Sequence, residues 1–242
     1  MKRYHLAGFL IIAMGLTGCG AKDPNEGLTA KQIYTKADAA LKNKDYTAAI
    51  KQYEALDSTY PFSAYSDRAL LNSVYAYYQN EDYASAGAVA QRFIHLYPRH
   101  QNVDYAYYMK GLSNFEQDRG VFAKVFPLDA SWRDIGTQEQ AYQDFAQLIT
   151  RYPDSPYAGD ARQHMVYLRN QVAQKELNVA EFYYDRKYYV ASANRAGFIV
   201  QNYPQAPQSR NALILLAKAD QALGVNKPAQ DAERVLAASS GK

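Results

Sequence analysis

The chain has 242 residues, with 27 Lys and Arg against 24 Asp and Glu, a formal net charge of +3, one cysteine and 23 tyrosines. So slight a basic excess, with no Lys/Arg-rich run and no recognised nucleic-acid module, argues against nucleic acid as a partner. A single cysteine excludes an intrachain disulfide.

The first residues read as an export signal. Lys2 and Arg3 form a basic start, Leu6 to Leu16 an apolar run, and Leu16-Thr17-Gly18-Cys19 a small-residue cleavage site. Eleven apolar residues fall short of the roughly 20 a bilayer-spanning helix needs. Residues 1–18 are therefore expected to be removed, and Cys19, placed as in a lipobox, to become the mature N-terminus. It would carry a diacylglycerol and an N-acyl chain. Several chains on one residue hold a domain stably at a membrane, since each buried methylene contributes about 0.8 kcal/mol. Loss of residues 1–18, which hold Lys2 and Arg3 and no acid, takes the formal charge to +1. Residues 19–28 are polar and broken by Pro24 and Gly27, which suits a tether. Gly20 stands where an aspartate would resemble an inner-membrane retention signal, so the address resembles that of an outer-membrane lipoprotein on its periplasmic face.

From Thr29 onward, apolar and aromatic residues recur at helical spacing in segments of about 12 to 16 residues, so residues 29–242 read as all-α. Tyr60-Pro61, Tyr97-Pro98, Tyr152-Pro153 and Tyr203-Pro204 each end an amphipathic stretch, and proline cannot continue a helix. The first interval, 37 residues, is close to the 34-residue helix-turn-helix unit of TPR proteins, and the next two are 55 and 51. Twelve residues before each proline stand Ala49, Ala86, Ala141 and Ser192, small enough for two helices to approach closely. The expected fold is an α-solenoid of five TPR-like hairpins, ten helices in all, over residues 29–61, 64–98, 102–153, 156–204 and 206–239.

The long intervals have separate causes. In the third unit Gly111 takes the small position of the first helix, and its distance to Ala141 exceeds that from Ala37 to Ala49 by 18 residues. An insertion is therefore expected around 118–136, carrying Phe122, Phe126, Pro127 and Trp132, and reads more readily as a hydrophobic plug than as a binding loop. In the fourth unit, Tyr157 to about Tyr184 predicts one unusually long helix. A fifth pair follows, Arg210 to Leu223 closed by Gly224, then Pro228 to Ala238.

Motifs of covalent chemistry are not evident. His5, His95, His100 and His164 are scattered and fit no metal-ligand spacing. There is no glycine-rich phosphate loop, no GxSxG and no available thiol nucleophile. The expectation is a binding protein that is no enzyme, with no cofactor beyond the lipid on Cys19 and no metal. Helical phase places Tyr34 and Asp38 of the first unit, Arg68, Leu71, Tyr75 and Tyr78 of the second, and Tyr105, Tyr108 and Leu112 of the third along one groove. Such an aromatic cleft suits a segment with bulky apolar anchors. The same tyrosines also suit packing between repeats, where a ring is buried and its hydroxyl stays wet.

Several local stretches go beyond a generic repeat: Ala55-Leu56-Asp57 with Tyr60-Pro61-Phe62, Tyr75-Ala76-Tyr77-Tyr78, Arg92-Phe93-Ile94, Asn102 to Leu112, Val179-Ala180-Glu181-Phe182-Tyr183 and Asn194-Arg195. Through these the chain resembles the BamD family over essentially its whole length. That resemblance implies a lipoprotein scaffold of the β-barrel assembly machinery. Its partners would be the POTRA domains of the barrel subunit BamA, accessory lipoproteins of the machinery, and segments of unfolded outer-membrane proteins. It further implies that the C-terminal repeats dock the barrel subunit through Arg195, next to Asn194, and that the N-terminal repeats meet clients, with Tyr60 among the contacts. The repeat alone also admits a different role, a lipoprotein hub for peptidoglycan-modifying enzymes.

Overall fold

The computed structural model describes residues 24–119, 136–225, 229–231, 234, 235 and 237. The expected signal peptide, Cys19, most of the tether and the insertion residues Phe122, Phe126, Pro127 and Trp132 lie outside the described residues. Among the described residues there is no strand, and nine helices follow in order: α1 (Ala30–Lys42), α2 (Tyr46–Thr59), α3 (Ser66–Gln79), α4 (Tyr83–Leu96), α5 (Val103–Arg119), α6 (Gly136–Arg151), α7 (Ala158–Asp185), α8 (Tyr189–Asn202) and α9 (Ser209–Ala222). Beyond them Ala229, Gln230, Asp231, Arg234, Val235 and Ala237 are helical as well, where the tenth helix is expected. Each helix packs chiefly on its neighbours in the chain, which is the quasi-one-dimensional logic of a solenoid.

Local chemistry explains the boundaries. Thr29 opens α1 with a capping box, its side chain accepting from the Gln32 amide while Gln32 reaches back to the Thr29 amide. Asp45 and Asp82 cap α2 and α4 by accepting from the amides of Ala48 (3.0 Å) and Ser85 (3.1 Å). Lys44, Glu81 and Lys187, each 17 residues before its repeat's proline, adopt φ of 59°, 61° and 64°. One residue in the left-handed region thus turns each of these hairpins. After α9 the chain turns through Gly224 at φ +74°, the expected helix stop.

The positions of closest approach are buried as the repeat predicts: Ala37, Ala49, Val74, Ala86, Ala141, Ala180 and Ser192 have no exposed surface. At Gly111 the approach is tighter still, since a Cβ there would lie 2.7 Å from Phe145 Cε1. The core is a string of clusters between repeats. Ile33, Ala49, Tyr53, Leu56 and Ala69 join the first two units. Leu70, Phe93, Phe115, Phe145, Leu148 and Leu168 join the second to the fourth, and Leu177, Ala196, Ile199 and Leu215 join the fourth to the fifth.

The 51-residue interval is accounted for by one helix. Helix α7 has 28 residues where α3 has 14, and that surplus of 14 is the whole difference between intervals of 51 and 37. In the third unit α5 runs to Arg119 and α6 starts at Gly136, and residues 120–135 of the insertion expected around 118–136 lie outside the described residues. Glu116, Gln117 and Arg119 are good helix formers and carry α5 onward until Gly120 follows. The two helices of this unit are tied by a buried polar group. Asp144, 1% exposed, accepts from Lys110 Nζ at 2.9 Å and from Asn114 Nδ2 at 2.6 Å. No helix of the described residues is long and apolar enough to cross a membrane.

Candidate functional site

Two faces concentrate the residues singled out by sequence. On the first, Tyr75 and Tyr78 project from α3, and Tyr105, Tyr108 and Leu112 from α5. Spacings of three, four and seven residues put each set on one stripe. The stripes meet: Tyr78, Tyr105, Tyr108 and Leu112 pack around Val74, Ala90 and Met109. Tyr108 stacks on Tyr157, with ring centroids 4.8 Å apart, and donates to Asp160 Oδ2 at 2.7 Å. His164 Nε2 lies 3.2 Å from the same carboxylate oxygen, its ring stacked on Phe145 at 5.2 Å. Burial holds the Tyr105 phenol well above its ordinary range, helped by Tyr157, Tyr75 and Tyr78. It does the same for Tyr108, helped by the Asp160 hydrogen bond. These rings stay neutral donors at any physiological pH. Tyr75, 38% exposed, meets Tyr46 edge-on at 6.4 Å and offers the most accessible ring of the set.

Around α1 a second aromatic group forms. Tyr34 stacks on Tyr65 at 5.2 Å, and Asn72 Nδ2 donates to the hydroxyls of Tyr34 (3.3 Å) and Tyr53 (3.2 Å). The Tyr34 phenol is raised by burial and by Asp38, against the opposing effect of Arg68, so these three residues share one electrostatic neighbourhood. Asp38 also pairs with Lys42 at 2.8 Å. The structure makes one of the expected groove residues core. Leu71, 8% exposed, is core between the second and fourth units. Tyr60 packs on the first core with its hydroxyl donating to the Leu28 carbonyl at 2.8 Å.

Tyr157, Asp160 and His164 join this face without being among the groove residues that helical phase selects. A signal existed, because Asp67, Asp104 and Asp160 each sit in the first turn of a repeat's first helix, where a carboxylate is favoured by the helix dipole. The acid is periodic: Asp104 accepts from Ser155 Oγ at 2.7 Å, and Asp160 differs in accepting a tyrosine hydroxyl, that of Tyr108.

The second face lies on the fourth and fifth units. Arg195 on α8 places Nη1 3.0 Å from Glu176 Oε2 on α7, and the two side chains are 50% and 8% exposed. The glutamate is thus buried under a half-exposed guanidinium. Asn194 and Arg195 line a cavity of about 410 Å³ with Tyr183, Ala191 and Phe198. Asn194 also borders one of about 470 Å³ with Tyr188, Tyr189, Val190 and Leu223. Phe182, Tyr188, Val190, Phe198 and Leu223 are exposed large apolar side chains here. Glu176 was not foreseen, since a helical glutamate reads as solvated until its burial is known. Among the described residues no group of three or more His, Cys, Asp or Glu is arranged to hold a metal ion.

Residues 26–235 match the family model YfiO, described as an outer membrane lipoprotein. Among similar proteins are three that carry the name outer membrane protein assembly factor BamD. That of Xylella fastidiosa is 38% identical over 234 residues, 96% of this chain and 78% of that protein. That of Vibrio cholerae is 36% identical over 237 residues, 98% of each. That of Neisseria meningitidis is 36% identical over 232 residues, 93% of this chain and 87% of that protein.

Proposed function

The chain belongs to the YfiO family of outer membrane lipoproteins, and from that premise we propose that it serves as the BamD-type assembly factor of the outer membrane, a scaffold that docks a barrel subunit at its C-terminal repeats and meets client segments at its N-terminal ones. The observation that carries this reading is a likeness running through the whole repeat domain, 26–235. The matched span contains the Asn194-Arg195 pair and the tyrosine stripes.

Mechanistically the protein binds and positions, with no covalent step. Arg195 offers a planar, permanently charged fork to a partner carboxylate, and the surrounding exposed Phe, Tyr, Val and Leu side chains form the apolar centre that stable interfaces use. The tyrosine stripes give a wall of rings with neutral hydroxyls, suited to extended or helical segments bearing bulky apolar residues. Acyl chains on Cys19 hold both faces at the membrane. The intended partners are the POTRA domains of BamA, accessory lipoproteins of the same machinery and unfolded outer-membrane proteins.

Co-purification from detergent-solubilised outer membrane tests the reading. Recovery of a POTRA-bearing barrel protein supports it, whereas recovery of peptidoglycan hydrolases without that protein overturns it in favour of the enzyme hub. At the client face, Tyr75→Ala combined with Tyr108→Phe removes one ring and one hydroxyl with little loss of core. A drop of about tenfold in affinity for a client peptide is expected, the scale of one aromatic anchor.

A further inference from the structure

The four Tyr-Pro turns close their repeats alike, yet the residue after each proline differs: Phe62, Arg99, Asp154 and Gln205. Three are polar, as a solvated turn requires. Phe62 is 100% exposed, so its ring packs on nothing in the protein and contributes nothing to the fold, while leaving a benzyl group in water is unfavourable. No other large apolar side chain among the exposed ones is so fully presented.

This turn also lies where the chain arrives from its N-terminus. Tyr60, two residues before Phe62, donates to the Leu28 carbonyl at 2.8 Å. Leu28 in turn donates to the Asn25 carbonyl at 3.0 Å, with Gly27 at φ +79° between them and Asn25 6% exposed. The chain is therefore fixed against the Phe62 turn from Asn25 onward. Six residues of chain lead back to Cys19, at most about 20 Å when fully extended.

We propose that Phe62 is a membrane-interface contact, its ring seated at the boundary between headgroups and acyl chains of the bilayer that holds Cys19. The inference rests on the lipid-anchor reading of Cys19. Acyl chains on a short tether restrain distance but leave the array free to rotate. A second contact beside the tether fixes which way the repeats face. One ring binds a bilayer too weakly alone, but the tether makes the event intramolecular at high effective concentration. The contact is apolar in character. The charged residues from 57 to 68 are Asp57, Asp67 and Arg68, and Asp57 is engaged by Arg92 at 2.7 and 2.8 Å, so the turn itself carries no cluster of cations.

The test uses the lipidated full-length protein in vesicles of phosphatidylcholine, with and without phosphatidylglycerol. Trp132 is the single tryptophan, so F62W and, as a control at the equivalent turn, R99W are each placed in a W132F background. Brominated-acyl lipids should quench F62W with a loss of about half its emission, blue-shifted and equal in both lipid mixtures, and leave R99W unchanged. Should W132F fold poorly, bimane on F62C against R99C gives the same comparison. Vesicle flotation with F62W unquenched, with both positions quenched equally, or with shielding that appears only on adding a protein partner overturns the inference and leaves the anchor standing. Loss of flotation overturns the anchor reading and this inference with it.

Discussion

Replacing Arg195 with alanine separates the two tasks assigned to that residue, one inside the fold and one toward a partner. The side chain pairs with Glu176 at 3.0 Å, and the carboxylate it covers is only 8% exposed while Arg195 is 50% exposed. Removing one partner of a fully buried pair costs about 3–5 kcal/mol, and a solvated pair is worth about 0–1 kcal/mol. A half-exposed guanidinium over a buried carboxylate falls between, so Arg195→Ala should cost about 2 kcal/mol. In a chain of this size that lowers Tm by about 4–8 °C. Because repeats open semi-independently, the loss should appear locally, as roughly thirtyfold faster amide exchange in α8 and the second half of α7, with α1 to α4 unchanged. Glu176→Gln removes the charge that needs cover and should cost less. The double variant should recover about 1–2 kcal/mol relative to the sum of the singles. Binding of POTRA domains should fall in Arg195→Ala and persist in Glu176→Gln, which frees the guanidinium. Thermal unfolding and hydrogen exchange unchanged in Arg195→Ala would refute the claim that Glu176 depends on it.

Two further perturbations test the core. At Gly111 an added methyl meets the wholly buried Phe145 ring at 2.7 Å. Overpacking of about 1–3 kcal/mol then outweighs the ~1 kcal/mol that alanine gains in a helix, so Gly111→Ala should unfold at lower denaturant. Gly159→Ala, with nothing within 4 Å, should leave the midpoint equal or higher, and the reverse order would contradict the packing described. In alkali, Tyr53, Tyr105 and Tyr108 are held above 10.0 by burial. Unfolded tyrosine loses its proton near pH 10 while the folded ring keeps it, so their contribution is complete below that pH and declines as pH rises above it. Denaturant titrations followed by tyrosinate absorbance should show this decline, reduced in Tyr105→Phe, and a flat profile there would count against burial of these hydroxyls.

The repeat was legible because proline and small residues act locally. Pro61, Pro98, Pro153 and Pro204 stop helices wherever they stand, and Ala49, Ala86, Ala141 and Ser192 mark contact distance without reference to the rest of the fold. Helical phase also placed Tyr75, Tyr78, Tyr105 and Tyr108 on stripes that do meet. What phase could not supply is depth. Leu71 and Tyr75 are four residues apart on α3, yet one is core at 8% exposed and the other surface at 38%, because the next repeat covers only one of them. The partners Asp160 and Glu176 escaped for the same reason. Each is an ordinary helical acid in sequence, and each is defined by a side chain 52 or 19 residues away.

The doubled helix α7 is what lets one small array keep two separate faces. A surplus of 14 residues adds about 20 Å along the helix axis, and being two heptads it rotates the packing stripe by only about 40°. Its first half therefore still receives α6, with Leu168 in the cluster of the second to fourth units. Its second half receives α8 and α9, with Ala173 and Leu177 in the next cluster. A surplus of half a turn more would have pointed the second stripe away and left α8 without a surface to cover. At the surplus observed, Asp160, which meets the tyrosine stripes, and Glu176, which meets Arg195, stand on one helix about four turns apart. The client and barrel contacts proposed for the two faces would then draw on different side chains.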